Sequence, residues 1–139
     1  MKIFLVMAIA AAAPIVQPGR WEVKSTVVEM AVPGIPKFLQ RMARGKTKSE
    51  EKRLTAAQGI ETLLAPDPKA MCRIEGQRVE DGRYMQTLSC PQKQGDPLHI
   101  TRGGTYDRTG FVGRATVAGV TSRGPISIVL DQRAVRTGG

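Results

Sequence analysis

Apolar and polar residues alternate along much of the chain. Between residues 20 and 30, Trp21, Val23 and Val27 fall on one face, and charged or polar residues fall on the other. Ser25 interrupts the apolar face. Alternation with a period of two is typical of a half-buried β-strand, and it makes Trp21 a candidate core anchor.

Five further candidate strands follow after residue 70. Turn sequences rich in Gly and Asp separate them, as expected for strands joined by short hairpin connections. We therefore predict a mainly β fold, a curved or partly closed, barrel-like antiparallel meander sheet with one short helix. The candidate strands are Arg20–Met30 and then Met71–Val79, Arg83–Cys90, Leu98–Tyr106, Phe111–Ala118 and Pro125–Ala134.

The one predicted helix precedes these later strands. Thr55-Ala56-Ala57-Gln58 has the capping-box pattern, in which Thr55 is the N-cap and the Gln58 side chain reaches back to it. The pattern predicts a helix from Ala56 to about Leu64, because the Pro-Asp-Pro sequence that follows would end it.

The segment 33–51 has the least regular pattern. Phe38, Leu39 and Met42 could lie on one side of a short basic helix, whereas two prolines and Gly45 favour a flexible excursion. We predict a flexible basic excursion over residues 33–51. Its basic residues could form a solvated loop or contact an anionic surface. The basic residues in and just after it are Lys37, Arg41, Arg44, Lys46, Lys48, Lys52 and Arg53.

The first thirteen residues have the order of a secretory signal peptide. Lys2 supplies the positive charge, residues 3–9 form a short apolar run, and four alanines follow. We place the cleavage after Ala12, which leaves a single β-rich domain over residues 13–139. The alternative is a buried N-terminal strand or helix. The apolar run is too short for a transmembrane segment, which takes about 20 residues. We expect a periplasmic or secreted protein.

The net charge of +9 indicates which classes of partner an exported chain would bind. Outside the cytoplasm, a basic protein meets anionic lipid headgroups and acidic polysaccharide rather than nucleic acid. The sequence does not determine the oligomeric state.

Cys72 and Cys90 are predicted to form a disulfide across a hairpin. With Glu80-Asp81-Gly82 as a three-residue loop, Val79 pairs with Arg83. Counting outward places the two cysteines opposite one another, with Cα atoms about 4.5 Å apart. That spacing permits a disulfide, and an oxidising compartment favours it. The alternative is two separate buried thiols.

The sequence offers no recognisable catalytic constellation. It has one histidine, His99, in a candidate strand, and neither a Gly-x-Ser-x-Gly motif nor spaced metal ligands. A lone histidine in a strand is more often a packed or surface side chain than a catalyst. We therefore predict no catalytic residues, no metal and no cofactor.

Six short motifs follow one another along the chain. They are Pro18-Gly19-Arg20-Trp21-Glu22, Val32-Pro33-Gly34-Ile35-Pro36, Leu54-Thr55-Ala56-Ala57-Gln58, Met71-Cys72-Arg73, Ser89-Cys90 and Gly104-Thr105-Tyr106. In this order they resemble a family of secreted Gram-negative proteins of unknown function whose members open with Pro-Gly-x-Trp-Glu. The resemblance implies a small β-rich exported domain with no assigned activity.

The chain departs from the family pattern at two cysteines. Arg53 stands where the family has one, and residues 133–139 lack the other. If the family's four cysteines form two bridges, this joint loss implies that the missing two pair with each other. Cys72–Cys90 is then the retained bridge, and the Arg53 segment and the C-terminal tail lack a covalent fastening.

Three functions are compatible with these features. The first is a non-enzymatic envelope protein that binds an apolar or lipid-like ligand on a curved sheet. The second is an electrostatic interaction module whose basic segment binds an anionic membrane surface or an acidic partner. The third is a hydrolase with an unrecognised site.

Overall fold

The strands of the described chain form one antiparallel sheet. A computed structural model of the protein describes residues 16–139, so the predicted signal peptide and its cleavage after Ala12 lie outside the described residues. Seven strands in this part of the chain pair in the order β2-β1-β7-β6-β5-β4-β3. The predicted fold class, a mainly β antiparallel meander, is confirmed. The strands are β1 Gly19–Ala31, β2 Thr47–Leu54, β3 Arg73–Glu80, β4 Arg83–Cys90, β5 Leu98–Asp107, β6 Gly110–Thr121 and β7 Gly124–Gly138.

Two short helices and a 3-10 turn lie between the first three strands. Helix α1 spans Lys37–Ala43, helix α2 spans Ile60–Leu64, and the turn spans Pro68–Ala70. The predicted helix over residues 56–64 therefore begins four residues later than expected. The Gln58 side chain does accept from the Thr55 backbone N–H (2.8 Å), but this bond closes a turn, and Gly59 is the N-cap of α2.

Regular structure occupies most of the segment predicted as a flexible excursion. Instead of an irregular loop over 33–51, the structure has α1 and the first part of β2, which pairs with β1 from Gly19–Leu54 to Thr26–Thr47. The pattern did not reveal β2 because its sequence, TKSEEKRL, is polar on both faces. Only Leu54 in it is buried. An edge strand needs a partner for one side of its backbone, and charged side chains suit such an edge.

The core packs at one end of the sheet's inner face, around Trp21. This side chain is fully buried, and its indole N–H donates to the Gln17 carbonyl at 2.9 Å, which confirms its role as a core anchor. Residues from α2 and from β1, β2 and β4 to β7 surround it. The buried cluster includes Val16, Val23, Leu54, Ile60, Leu63, Leu64, Tyr84, Tyr106, Phe111 and Ala134.

The hairpin of β3 and β4 places the two cysteines opposite one another, but its turn and its register differ from the predicted ones. The loop has two residues, Asp81 and Gly82, both with positive φ, so Glu80 rather than Val79 pairs with Arg83. The predicted three-residue loop was wrong. An irregularity between Ile74 and Gly76 then shifts the register back by one residue.

The two register changes cancel at the end of the hairpin. Ile74 pairs with Leu88, as the counting predicted, and Cys72 forms a disulfide with Cys90 at a Cα separation of 4.1 Å. The predicted bridge is confirmed, although the ladder between the turn and Gly76 is displaced.

Backbone ladders fasten the two segments that lack the family's cysteines. Arg20 of β1 pairs with Arg53 on one side and with Gly138 on the other. Strand β1 thus lies between position 53 and the C-terminal end of β7. Both segments are held by hydrogen bonds to β1 rather than by a covalent bridge.

Candidate functional site

The inner face of the sheet lines an apolar cavity of about 520 Å³ that is partly open to solvent. Residues of the edge strand β2 and Cys72, beside the opposite edge strand β3, line the same space, so the sheet is curled around it. The apolar wall comes from four strands. It includes Val27, Met30, Ile100, Val117, Ile128 and Leu130.

A layer of polar side chains separates this cavity from the packed core. Along β1, Trp21 and Val23 are buried in the core, Ser25 follows, and Val27 lies in the cavity wall. The interruption of the apolar pattern at Ser25 therefore marks the polar layer. We use this name for Ser25, Gln86, Arg102 and Gln132.

Arg102 is the centre of the polar layer. Its side chain is buried, with 7% exposed, yet it lines the cavity. The guanidinium Nε donates to Gln132 Oε1 at 2.9 Å, and Nη1 donates to Gln86 Oε1 at 3.0 Å and to the Leu64 carbonyl at 2.9 Å. Gln132 in turn donates to Ser25 Oγ at 3.1 Å. The polar layer thus ties β1, β7, β5 and β4 to the end of α2.

Small residues on β6 make room for the central bond of this layer. Arg102 on β5 reaches Gln132 on β7 across the intervening strand. The β6 residues that pair with them are Ala115 and Gly113, respectively. Since neither carries a side chain longer than a methyl group, the guanidinium can lie over β6.

The segment that follows α2 forms the remaining wall of the cavity. Ala65, Pro66, Asp67 and Ala70 line it, and the disulfide at Cys72 fixes the end of this segment to β4. Lys52 of β2 donates to the Ala65 carbonyl, with a longer contact of 3.4 Å to the Thr62 carbonyl. The backbone carbonyls at the end of α2 are therefore bound by Lys52 from one edge of the sheet and by Arg102 from its middle.

The two cations beside α2 are held in an unfavourable environment. Burial lowers the pKa of the Arg102 guanidinium, and the nearby Tyr84 and Glu50 oppose this effect. Burial is also the main cause that lowers the pKa of Lys52, with Arg102 adding to it and Glu50 and Asp67 opposing it. Desolvation thus disfavours both positive charges, and repulsion by Arg102 further disfavours that of Lys52.

The match to known protein families covers almost all of the described chain. Residues 16–138 match the family described as protein of unknown function, DUF3617. The chain belongs to this family. Neither the curated proteins nor the solved structures contain a significant match to it. The description of the DUF3617 family names no activity, so the function has to be argued from the cavity.

The seven basic residues singled out in this DUF3617 chain do not form one cluster. Lys37 and Arg41 lie on α1, and Arg44 directly follows it. Lys46, Lys48 and Lys52 line the cavity. Arg53, the next residue of β2 after Lys52, alternates to the opposite face of the sheet.

Sequence reasoning missed Arg102 as a site residue. A single arginine within a candidate strand is ordinarily taken as a solvent-facing side chain. The available signal was its position: in the alternation of β5, it falls on the same face as Ile100 and Tyr106, which are apolar.

His99 of this DUF3617 chain lies away from the cavity. It is exposed, and it precedes Ile100, which faces the cavity, so its side chain projects from the opposite face of β5. Within residues 16–139, no group of three or more His, Cys, Asp or Glu side chains is placed to hold a metal ion. No helix in that range has the length and hydrophobicity needed to span a bilayer.

Proposed function

We propose that this protein is a non-enzymatic binding protein of the Gram-negative cell envelope that holds an apolar or lipid-like ligand inside its curled sheet. The observation that carries the proposal is the apolar cavity of about 520 Å³. Its size falls in the range of small-molecule sites, about 300–1,000 Å³. A few polar groups at one end of an apolar cavity are the usual arrangement for orienting such a ligand.

The proposed location is the periplasm or the exterior of the cell. The Cys72–Cys90 disulfide is consistent with an oxidising compartment. Export is also supported by the N-terminal sequence, in which a positive residue, a short apolar run and small residues follow in the order of a signal peptide.

The cavity proposal predicts that filling the cavity blocks binding. We expect the mature protein to bind N-phenylnaphthylamine, a neutral apolar dye, with a saturable rise in fluorescence. Val117→Trp should weaken this binding about tenfold or more, because the indole would occupy the space that the dye needs. The measurement is a fluorescence titration of each variant, with a thermal unfolding curve to show that it is folded.

Val120→Trp is the matched control for this experiment. Val120 lies on the same strand but is 64% exposed and projects from the other face. It should bind the dye like the wild type. Failure of the wild type to bind the dye, or equal binding by both variants, would refute the cavity as the ligand site.

A second function, docking on an anionic membrane surface, is supported by α1. Phe38, Leu39 and Met42 are 57%, 44% and 65% exposed, respectively. Lys37 and Arg41 lie beside them on the helix, and no ion pair within residues 16–139 involves either. Exposed apolar side chains next to basic ones are typical of helices that lie in the headgroup region of a bilayer.

Helix α1 is also well placed to bring the cavity to a surface. It connects the end of β1 to the start of β2, where Met30 and Lys46 contribute to the cavity wall. Gln40 holds the helix to this end of the sheet through bonds to the Val32 and Ile35 carbonyls at 3.0 and 2.7 Å.

Docking by α1 predicts selective binding to vesicles that contain phosphatidylglycerol. Co-sedimentation with such vesicles should exceed that with phosphatidylcholine alone and weaken with salt. The triple variant Lys37→Gln, Arg41→Gln and Arg44→Gln should lose this binding. The control replaces three exposed arginines of the β3–β4 hairpin, Arg73, Arg78 and Arg83, by Gln, which removes the same charge. Equal loss by the two triple variants would show a general charge effect and exclude α1 as the docking element.

A further inference from the structure

The buried cation at the inner end of the cavity lacks a carboxylate partner. Among residues 16–139, the ion pairs within 4.0 Å are Lys24–Glu22, Arg73–Glu75, Arg78–Glu80 and Arg114–Asp131, and none includes Arg102 or Lys52. Buried charges in proteins are ordinarily paired, because an unpaired charge loses its hydration without compensation. Arg102 departs from this rule at 7% exposure.

The hydrogen bonds of Arg102 do not by themselves explain a positive charge at this position. Its acceptors are the Leu64 carbonyl and the amide oxygens of Gln86 and Gln132, which are all neutral. An uncharged donor could satisfy them at a lower cost of desolvation. Within the described residues, bonds leave from Nε and Nη1, so the Nη2 donors are available to a further partner.

Lys52 adds a second positive charge beside α2. Its ammonium group and the guanidinium of Arg102 bind consecutive carbonyls, of Ala65 and Leu64. The other charged side chains that line the cavity are Lys46, Lys48, Glu50 and Asp67. Cations thus outnumber carboxylates, four to two, and neither carboxylate forms an ion pair with Arg102 or Lys52.

We propose that the ligand is an anionic amphiphile whose single carboxylate or phosphate head group is bound by Arg102 and Lys52. Its apolar chain lies against Val27, Ile100, Val117 and Leu130. This assignment rests on the proposed binding of an apolar ligand in the cavity, and it adds the head group and its orientation. An anion at this point supplies the missing counter-charge, and guanidinium groups bind carboxylates and phosphates through paired N–H donors.

The test compares ligands that share one chain and differ only at the head. Dodecanoate, dodecyl phosphate and neutral dodecanol each compete with N-phenylnaphthylamine for the mature protein, and the dye displacement gives their affinities. We expect dodecanoate or dodecyl phosphate to bind about tenfold or more tightly than dodecanol. The better of the two identifies the head group as carboxylate or phosphate.

Two variants show which side chains cause the preference. Lys52→Gln and Arg102→Gln should each reduce the affinity for the anion about tenfold and leave that for dodecanol nearly unchanged. Lys52 is only half-buried, so its variant decides the matter if Arg102→Gln does not fold. Arg114→Gln removes an exposed charge from the outer face of β6 and should leave every affinity unchanged.

The outcomes separate this inference from the proposed function. If the dye does not bind to the wild type, the apolar site is refuted. If the dye binds and none of the three ligands displaces it, the apolar site stands and the amphiphilic ligand is refuted. If dodecanol binds as tightly as both anions, the apolar site stands and the anionic head group is refuted. An anion preference that survives in every folded variant of Arg102 and Lys52 refutes their role.

Discussion

Gly113→Val should destabilise the protein by about 3 kcal/mol or more, the upper range for overpacking a well-filled interior. Any Cβ at this position would lie far inside van der Waals contact of Tyr84 Oη and of the Gly103 carbonyl oxygen. The Tyr84 ring is fixed by its edge contact with Phe111, whose centroid lies 5.3 Å away, so the hydroxyl cannot easily move. The Gly103 oxygen belongs to the sheet backbone and cannot rotate away. Urea unfolding of the purified variant measures the loss.

Gly76→Val is the matched control on another strand. The nearest atom to a Cβ at Gly76 is Thr87 Oγ1 at 3.6 Å, which is an ordinary contact. Its stability should stay within about 0.5 kcal/mol of the wild type. Equal stability of the two valine variants would contradict the claim that Gly113 is packed too closely to accept a side chain.

Tyr84→Phe should rescue part of the loss in Gly113→Val. It removes the hydroxyl, which within residues 16–139 is buried without a hydrogen-bond partner, but it leaves the Gly103 carbonyl in place.

Burial also raises the pKa of Tyr84. The wild type should therefore lose stability as the pH rises above about 10, where the unfolded chain ionises first. Tyr84→Phe lacks this contribution.

Cys72→Ser should lower the free energy of unfolding by about 2–4 kcal/mol. The bridge spans 18 residues of sequence, and in the chain-entropy description it acts by restricting the unfolded chain. Cys72 is half-buried whereas Cys90 is 8% exposed, so a serine hydroxyl at position 72 adds little desolvation of its own. The change should therefore report the loss of the bridge.

A reductant provides the control for the disulfide. Dithiothreitol should lower the stability of the wild type nearly to that of Cys72→Ser and leave the variant unchanged. Non-reducing peptide mapping of protein purified from the cell envelope should recover Cys72 and Cys90 in one linked pair. Two alkylatable thiols there would contradict the bridge or the proposed compartment.

Much of the fold follows from local pattern. The strands β1 and β4 to β7 could be predicted from their alternation because each has one apolar face and ends at a turn sequence. The edge strand β2 was not predicted, since its sequence, TKSEEKRL, is polar on both faces and the strand depends on hydrogen bonds to β1. Its existence is a property of the sheet rather than of its own sequence.

The disulfide shows how a correct pairing can rest on an incorrect local register. The expected loop placed Gly82 in the left-handed position, and the structure uses Asp81 as well. One irregularity near Gly76, an extra residue on β3, offsets the difference, so that Ile74 faces Leu88 and Cys72 can bond to the buried Cys90. The turn and this irregularity together set the register at the cysteines, and the sequence pattern revealed neither of them correctly.

By itself, the sequence determined the fold class and the core role of Trp21, because each depends on periodicity along the chain. The pairing of Cys72 with Cys90 was predicted correctly from spacing, but it forms in the structure only because the irregularity near Gly76 offsets the shorter turn. Only the tertiary structure decided the candidate site. Arg102 is 38 residues away from Leu64 in sequence, whereas Lys52 is 13 residues away from Ala65, and the strand order brings all of them to one cavity. The alternation of β5 puts Arg102 on the face of Ile100 and Tyr106, but no periodicity records that this face borders a cavity, since the neighbours of Arg102 there are set by strand order and register.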